Sequence, residues 1–392
     1  MNKRTKPSRI GRFHFDPLLI VVSLSLLLIG YVMVASSSLH LGAKLNSGNE
    51  FHYSLRQSLH IGLGLFLGVI VAKTPLQFWE NWGQRLFIMG IVLLMIVLVP
   101  GLGVKVNGST RWLSLFGIRL QVSEIVKYFS VIYMAGYVTR HQKSILVSIS
   151  ALIKPLLLFG FAGLLLLMEP DFGSTVVIMI IAMGVMFLAG ARLSPFIGLF
   201  SVGAIGASLL VYLEPYRMKR VTSFLNPWAD PKDTGYQLVH ALISFGRGEW
   251  WGVGLGCGIQ KLFYLPEAHT DFLFSVIAEE LGLAGVITVI GLFVMLVWRT
   301  FEIAAAAEAL GERFSAFLAY GLGIWFGFQA FVNMGVNMGI LPTKGLTLPL
   351  MSYGGGSMMV MCCAIALLFR IHSEVAEIQA NKPKERSKWL SV

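Results

Sequence analysis

Charged side chains are scarce in this chain. Only 13% of its 392 residues are Asp, Glu, Lys or Arg, against about a quarter in a soluble domain. Acids are the rarer sign, 20 against 31 bases, which leaves a formal net charge of +11. Such a composition excludes a soluble globular enzyme. Cysteine is rarer still: Cys362 and Cys363 lie inside an apolar run and Cys257 stands alone. Neither a disulfide framework nor metal-ligand spacing is present. No soluble basic domain accompanies the positive charge, so nucleic acid is excluded as a partner, and anionic lipid or phosphate fits better. The glycine-rich stretch from Gly246 to Gly256 follows no strand of a βαβ unit, so it is not a dinucleotide fingerprint. Close backbone packing or a re-entrant turn is the expected use of those glycines.

What the chain has in excess is apolar residue, 56% of the total. At about 20 residues per crossing, this content predicts an all-α polytopic membrane protein with about ten transmembrane helices. Apolar runs fall at 18–35, 54–72, 86–99, 124–139, 151–168, 172–189, 195–213, 272–298, 315–334 and 350–369, the third being short. Residues 1–16 form a basic tail with Lys3, Arg4, Lys6, Arg9 and Arg12, and residues 371–392 form another. Both read as cytoplasmic by the positive-inside rule. Between them, 17–370 is one transmembrane domain, with a long outer loop at 214–271 between helices 7 and 8. The outer loops nevertheless collect cations, among them Lys105, Arg111, Arg119, Lys232, Arg247 and Lys261. Long loops translocate regardless of charge. A polyanionic substrate at the outer face accounts for the set, although a solvated surface suffices for any single member.

Acids cluster where the long loop meets the eighth run. The stretch from Tyr264 to Gly282 holds Glu267, His269, Asp271, Glu279 and Glu280. Thr270 reads as an N-cap with Asp271 in the first helical turn, where a carboxylate is stabilised by the dipole or kept for function. His269 reads as a base or, more commonly, a packing histidine. Glu279 and Glu280 lie deep enough to need partners on a neighbouring helix. In the first outer loop, Arg111-Trp112 precedes Arg119-Leu-Gln121-Val-Ser123-Glu124-Ile-Val-Lys127. Ser123 reads as an N-cap, and Glu124 and Lys127 fall three apart on one helix face. That pair is either structural or a grip on phosphate shared with Arg119, with Glu124 as orienter. Trp112 reads as an interfacial anchor. Asp171, in the Glu-Pro-Asp-Phe-Gly turn, reads as a helix cap, and residues 235–245 as a short amphipathic helix on the membrane surface. The segment from Asn333 to Ser357, with Pro342, Lys344, Pro349, Ser352 and a glycine triplet, cannot form an ordinary helix. It is expected to fold back and line a cavity with the other two outer elements.

These motifs resemble the SEDS family of bacterial membrane proteins over nearly the whole chain. The most specific parts are Pro266-Glu-Ala-His-Thr-Asp-Phe, Gln121-x-Ser-Glu-x-x-Lys127 and Leu341-Pro-Thr-Lys-Gly-Leu-Thr-Leu-Pro followed by Ser-Tyr-Gly-Gly. Gly246-Arg-Gly-Glu-Trp and Gln260-Lys-Leu look like the division branch of the family. Val122, where a small residue or proline is usual, and the extra Gly356 depart from its pattern. The resemblance implies a peptidoglycan glycosyltransferase that polymerises lipid II at the outer face of the cytoplasmic membrane, at the division septum. A class B penicillin-binding transpeptidase and other divisome membrane proteins are its implied partners. It maps the family's essential aspartate onto Asp271, and cavity positions onto Trp112, Glu124, Lys127 and Arg119. Arg111, Gln121, Ser123, Arg247, Lys261, Glu267, His269, Lys344 and Ser352 complete the expected substrate-binding set.

The chemistry needs one carboxylate to take a proton from an attacking sugar hydroxyl, and cations to receive a departing diphosphate. Asp271 fills the first role, and Lys127 and Arg119 with Arg247 or Lys261 the second. Displacement inverts the anomeric carbon. A divalent cation, Mg or Mn, is compatible with the diphosphate, though no protein metal cage is visible. A lipid II flippase would share the broken segments and buried charges. Against it, no inverted repeats are seen and the charged motifs gather on one face. A division scaffold is compatible with either.

Overall fold

A computed structural model describes residues 13–45, 48–106, 109–115, 118–192, 194–198, 201, 209, 212, 218, 222–343 and 345–381. The first six helices are α1 (Pro17–Leu45), α2 (His52–Lys73), α3 (Leu76–Leu98), α4 (Val122–Val147), α5 (Ile149–Met168) and α6 (Phe172–Leu188). Within the long loop lies α7 (Tyr236–Gly248), and after it come α8 (Leu273–Ala309), α9 (Arg313–Asn337) and α10 (Gly355–Asn381). Among the described residues seven helices are long and apolar enough to cross a membrane: α1, α2, α3, α5, α8, α9 and α10. The chain is therefore a multi-pass membrane protein, nearly all-α. The expected seventh span, 195–213, lies largely outside the described residues, as do the tail 1–12 and 382–392.

One expectation needs correction, and one feature was not foreseen. The third span is full length at 23 residues, because its N-terminal part carries Glu80 and Arg85, which interrupt the apolar run without interrupting the helix. The first outer loop is an antiparallel sheet of β1 (Val104–Val106), β2 (Ser109–Leu115) and β3 (Ile118–Gln121) in that order. Trp112 stands opposite Gln121 and Ser114 opposite Arg119. Since β3 runs straight into α4, the sheet is fastened to the bundle beside Glu124.

α4 and α9 form the centre. α4 packs on α3, α6, α9 and α10, while α2 packs on α10, and α8 on α1, α7 and α9. The buried face of α9 includes Trp325, Phe326, Gln329, Asn333 and Asn337, so its polar groups meet protein and not lipid. On α2 the opposite arrangement holds. Leu65, Phe66, Val69 and Ile70 are exposed, as a lipid-facing surface requires.

Helix α8 breaks at Gly282, whose φ of 64° and ψ of −161° leave main-chain groups unpaired. The glycine-rich loop after α7 satisfies them. Glu249 O and Trp250 O accept from Leu283 N and Ala284 N, and Val253 N and Gly254 N donate to Glu279 O and Glu280 O. Gly252 adopts φ +79°, and a Cβ there would overlap the Glu280 carbonyl. The expectation of close backbone packing thus holds. Gly252→Ala should lower stability by at least ~2 kcal/mol, from left-handed strain plus that overlap. A thermal melt of the purified protein in detergent checks it.

The helix expected at 235–245 is present as α7, but its buried residues Leu238, Val239, Ala241 and Ser244 meet α8 and α9. Protein, more than the membrane surface, covers its apolar face.

Candidate active site

Asp271 stands at the end of a tight turn that precedes α8. The helix begins at Leu273, and Phe272, its N-cap, gives no side-chain cap. Thr270 does not cap it, contrary to expectation. Its hydroxyl donates instead to the Glu267 carboxylate (2.7 Å) and carbonyl (3.1 Å), which ties the turn to itself. Ser123 does not cap α4 either. The helix starts one residue earlier, at Val122, and the Ser123 hydroxyl accepts from Gln121 Nε2 at 3.0 Å. Asp171 does cap α6, taking Ser174 N at 3.1 Å and Ser174 Oγ at 2.9 Å.

Two cavities meet at Asp271. The larger, of about 1280 Å³, is lined by α1, α2, the sheet, the start of α4, the turn before α8 and the segment ahead of α10. The smaller, of about 550 Å³, is lined by the turn between α5 and α6, the start of α7 and the same turn before α8. Arg111, Pro266, Glu267, Asp271 and Gly345 face both. A Cβ on Gly345 would come within 2.8 Å of Asp271 Oδ2, so the segment before α10 lies directly against the carboxylate. Asp271 is enclosed by protein except where it opens into these spaces. Burial raises its pKa to about 7, Glu267 and Asp171 add to the rise, and the Arg111 guanidinium opposes it.

Of the residues expected from sequence, Arg111, Trp112, Gln121, Glu124, Lys261, Glu267, His269 and Asp271 line the larger cavity. Arg111 is held by the carbonyls of Glu169 (2.9 Å) and Pro170 (2.6 Å). His269 packs edge-on against Tyr53 and tilted against Tyr353, with ring centres 5.1 and 5.4 Å away. Burial lowers its pKa, partly offset by Glu267, which favours the neutral, packing imidazole.

The others are placed differently. Lys127 is fully buried behind Glu124 and bonded to Glu124 Oε1 and Gln329 Oε1, both at 2.8 Å. The buried Ser123 and Ser352 line neither of these two cavities; Ser352 Oγ accepts from Leu348 N at 2.9 Å. Arg247 faces neither cavity and pairs with Glu279 at 3.3 Å. Lys261, though it touches the larger cavity, is bound to Glu280 Oε1 at 2.6 Å and to Ser36 Oγ at 2.9 Å. Glu279 therefore pairs with a neighbouring helix, α7, as expected, whereas the cation of Glu280 comes from the loop and its helix partner is Ser36 of α1. Lys344 and the Arg119 side chain lie outside the described residues.

Sequence reasoning missed Arg56 and His60 on α2, which line the larger cavity. An arginine inside an apolar span is costly enough to have marked that position. It also read Asn333 and Asn337 as the start of the broken segment, whereas both lie in the last turns of α9, an i, i+4 pair whose amides reach the Asp271 carbonyl. Among the described residues, no group of three or more His, Cys, Asp or Glu side chains is placed to hold a metal ion.

The family model for cell cycle proteins, that of FtsW, RodA and SpoVE, matches residues 16–377. A probable peptidoglycan glycosyltransferase FtsW of Methylomonas methanica is 62% identical over 383 residues, covering 98% of each chain. Its counterpart in Methylococcus capsulatus is 58% identical over 375 residues, covering 95% of this chain and 94% of that one. Among solved structures, a chain of a peptidoglycan synthase complex that coordinates polymerization and crosslinking superposes with a TM-score of 0.75. It is 28% identical, over 92% of this chain and 98% of that one. The rod shape determining protein RodA of Thermus thermophilus is 25% identical at a TM-score of 0.67, over 92% and 97%.

Proposed function

Because this chain belongs to the FtsW, RodA and SpoVE family of cell cycle proteins and is a peptidoglycan glycosyltransferase by its relatives, we propose that it polymerises lipid II with Asp271 as general base. One observation carries the assignment of the base: of the two carboxylates that face both cavities, Glu267 is exposed and bonded to Thr270, whereas Asp271 is sunk at the junction against Gly345 and beside Arg111. A glycosyl transfer brings two sugars together, and a base between two spaces can serve the bond that joins them.

In this reading the carboxylate takes the proton of the acceptor 4-hydroxyl as that oxygen attacks C1 of the donor. The bond from C1 to the diphosphate oxygen breaks, the lipid diphosphate departs with the electron pair, and the anomeric configuration inverts to β-1,4. Arg111 and Arg56 are the cations assigned to the departing charge. Lys261, already neutralised by Glu280, and Lys127, behind Glu124, support the walls. Among the described residues no three or more His, Cys, Asp or Glu side chains gather as a metal cage; an Mg or Mn ion carried by the diphosphate itself is compatible with these roles.

The reading places the active face outside the cytoplasmic membrane at the division septum, with both termini inside, as the basic tails favour. It pairs the chain with a class B penicillin-binding transpeptidase and other divisome membrane proteins, in keeping with its likeness to a subunit of a synthase complex. The test is purified protein with its transpeptidase partner, given labelled lipid II. Glycan polymer on a gel is the expected result. Lipid movement across vesicles with no polymer would overturn the proposal in favour of a flippase.

A further inference from the structure

We propose that Asn333 and Asn337 are positioning residues for the transfer: their side-chain amides hold the Asp271 main chain so that its carboxylate stays at the junction of the two cavities. This deepens, and rests on, the assignment of Asp271 as base. Both asparagines lie one turn apart near the end of α9 and are buried, at 2% and 0% exposure. Asn333 Nδ2 donates to the Asp271 carbonyl at 2.9 Å and to the Leu346 carbonyl at 2.6 Å. Asn337 Nδ2 donates to the same Asp271 carbonyl at 3.0 Å and to Asn333 O at 2.8 Å. Asn337 Oδ1 accepts from Ser275 N at 3.0 Å and Ser275 Oγ at 2.7 Å.

Three consequences follow from that geometry. The start of α8, which lacks a side-chain cap of its own, is capped from another helix through Ser275. The Asp271 carbonyl, bonded twice, is fixed toward α9, and the tetrahedral Cα then limits where its carboxylate can point. Asn333 draws the Leu346 carbonyl to the amide that holds Asp271, and so sets Gly345 against Oδ2. Plain helix packing would be served as well by leucine, without the desolvation of two amides. The buried amides instead fix the spacing between the base and the segment that faces it, and a misplacement of about 1 Å at a reacting group costs about 10²-fold in rate.

The experiment is lipid II polymerisation by full-length Asn333→Ala and Asn337→Ala in the partner complex, over a pH series, with thermal melts as the check on folding. The expected result is kcat lower by about 10²-fold with KM within about threefold, and a displaced pH inflection. Wild-type kcat and inflection in folded protein would overturn the inference, as would a loss confined to melting temperature. Should the alanine variants not fold, Asn337→Asp keeps the volume and the acceptor for Ser275 while replacing the amide donor to Asp271 with a carboxylate oxygen, and is read by the same outcomes. Asp271→Ala, run in parallel, separates the two readings. Polymer from it would sink the assignment of the base, whereas its inactivity beside unaffected asparagine variants would sink only the positioning role.

Discussion

Asp271→Asn should lower lipid II polymerisation by about 10²–10⁴-fold, the usual contribution of a positioned general base. Asparagine keeps the shape that Gly345 packs against, so the loss would reflect proton acceptance and not a collapsed wall. The wild-type pH profile carries the sign of the same assignment. The carboxyl of Asp271 is raised to about 7 by burial and by Glu267. A base must be unprotonated, so the rate should climb as pH rises through about 7 and fall away below it. Glu267→Gln removes a neighbouring negative charge and should move that inflection to lower pH. A rate that ignores pH between 6 and 8 (roughly the span over which a group with that pKa changes charge), or an asparagine variant with wild-type output, contradicts the assignment.

The second large effect belongs to Lys127→Met, expected to cost about 3–5 kcal/mol of stability, the range for breaking one side of a buried ion pair. Lys127 is 0% exposed and Glu124 3%, so the methionine would take away the ammonium that pairs with this buried carboxylate at 2.8 Å. Gln329 Oε1, which Lys127 and Trp325 Nε1 share at 2.8 Å each, would lose one donor as well. Adding Glu124→Gln removes the stranded charge and should return most of the loss, a coupling visible only in the double variant. Thermal melts of the four proteins in one detergent measure it. A single variant that melts normally but binds lipid II poorly would instead restore the phosphate grip that the sequence suggested for Lys127.

That contrast shows what could be read beforehand. Apolar runs marked most of the bundle, since a span needs little besides length and hydrophobicity. Asp271, Glu124 and Trp112 could be picked out because polar groups at a membrane edge are costly and rarely idle. Which cations remain available could not be read. Lys261 and Arg247 turned inward to Glu280 and Glu279, partners 19 and 32 positions away along the chain, and no local pattern announces such pairings. Arg56 went unnoticed for the opposite reason, lying inside a run read only for its hydrophobicity. The caps assigned to Thr270 and Ser123 followed local preference. Tertiary donors and acceptors settled those helix starts differently: Asn337 reached Ser275 from another helix, and Glu267 claimed the Thr270 hydroxyl.

The break at Gly282 has a mechanical meaning. Chain leaving α7 is stitched to α8 at the break, then fastened again where Glu279 takes Ile259 N at 2.9 Å and Glu280 takes Gly256 N at 3.0 Å, before it re-enters the same helix through Asp271. The stretch from Glu249 to Asp271 is thus a closed buckle riding on one rod. A push on it would shift the rod and the Asp271 carboxylate together, with almost no slack between them.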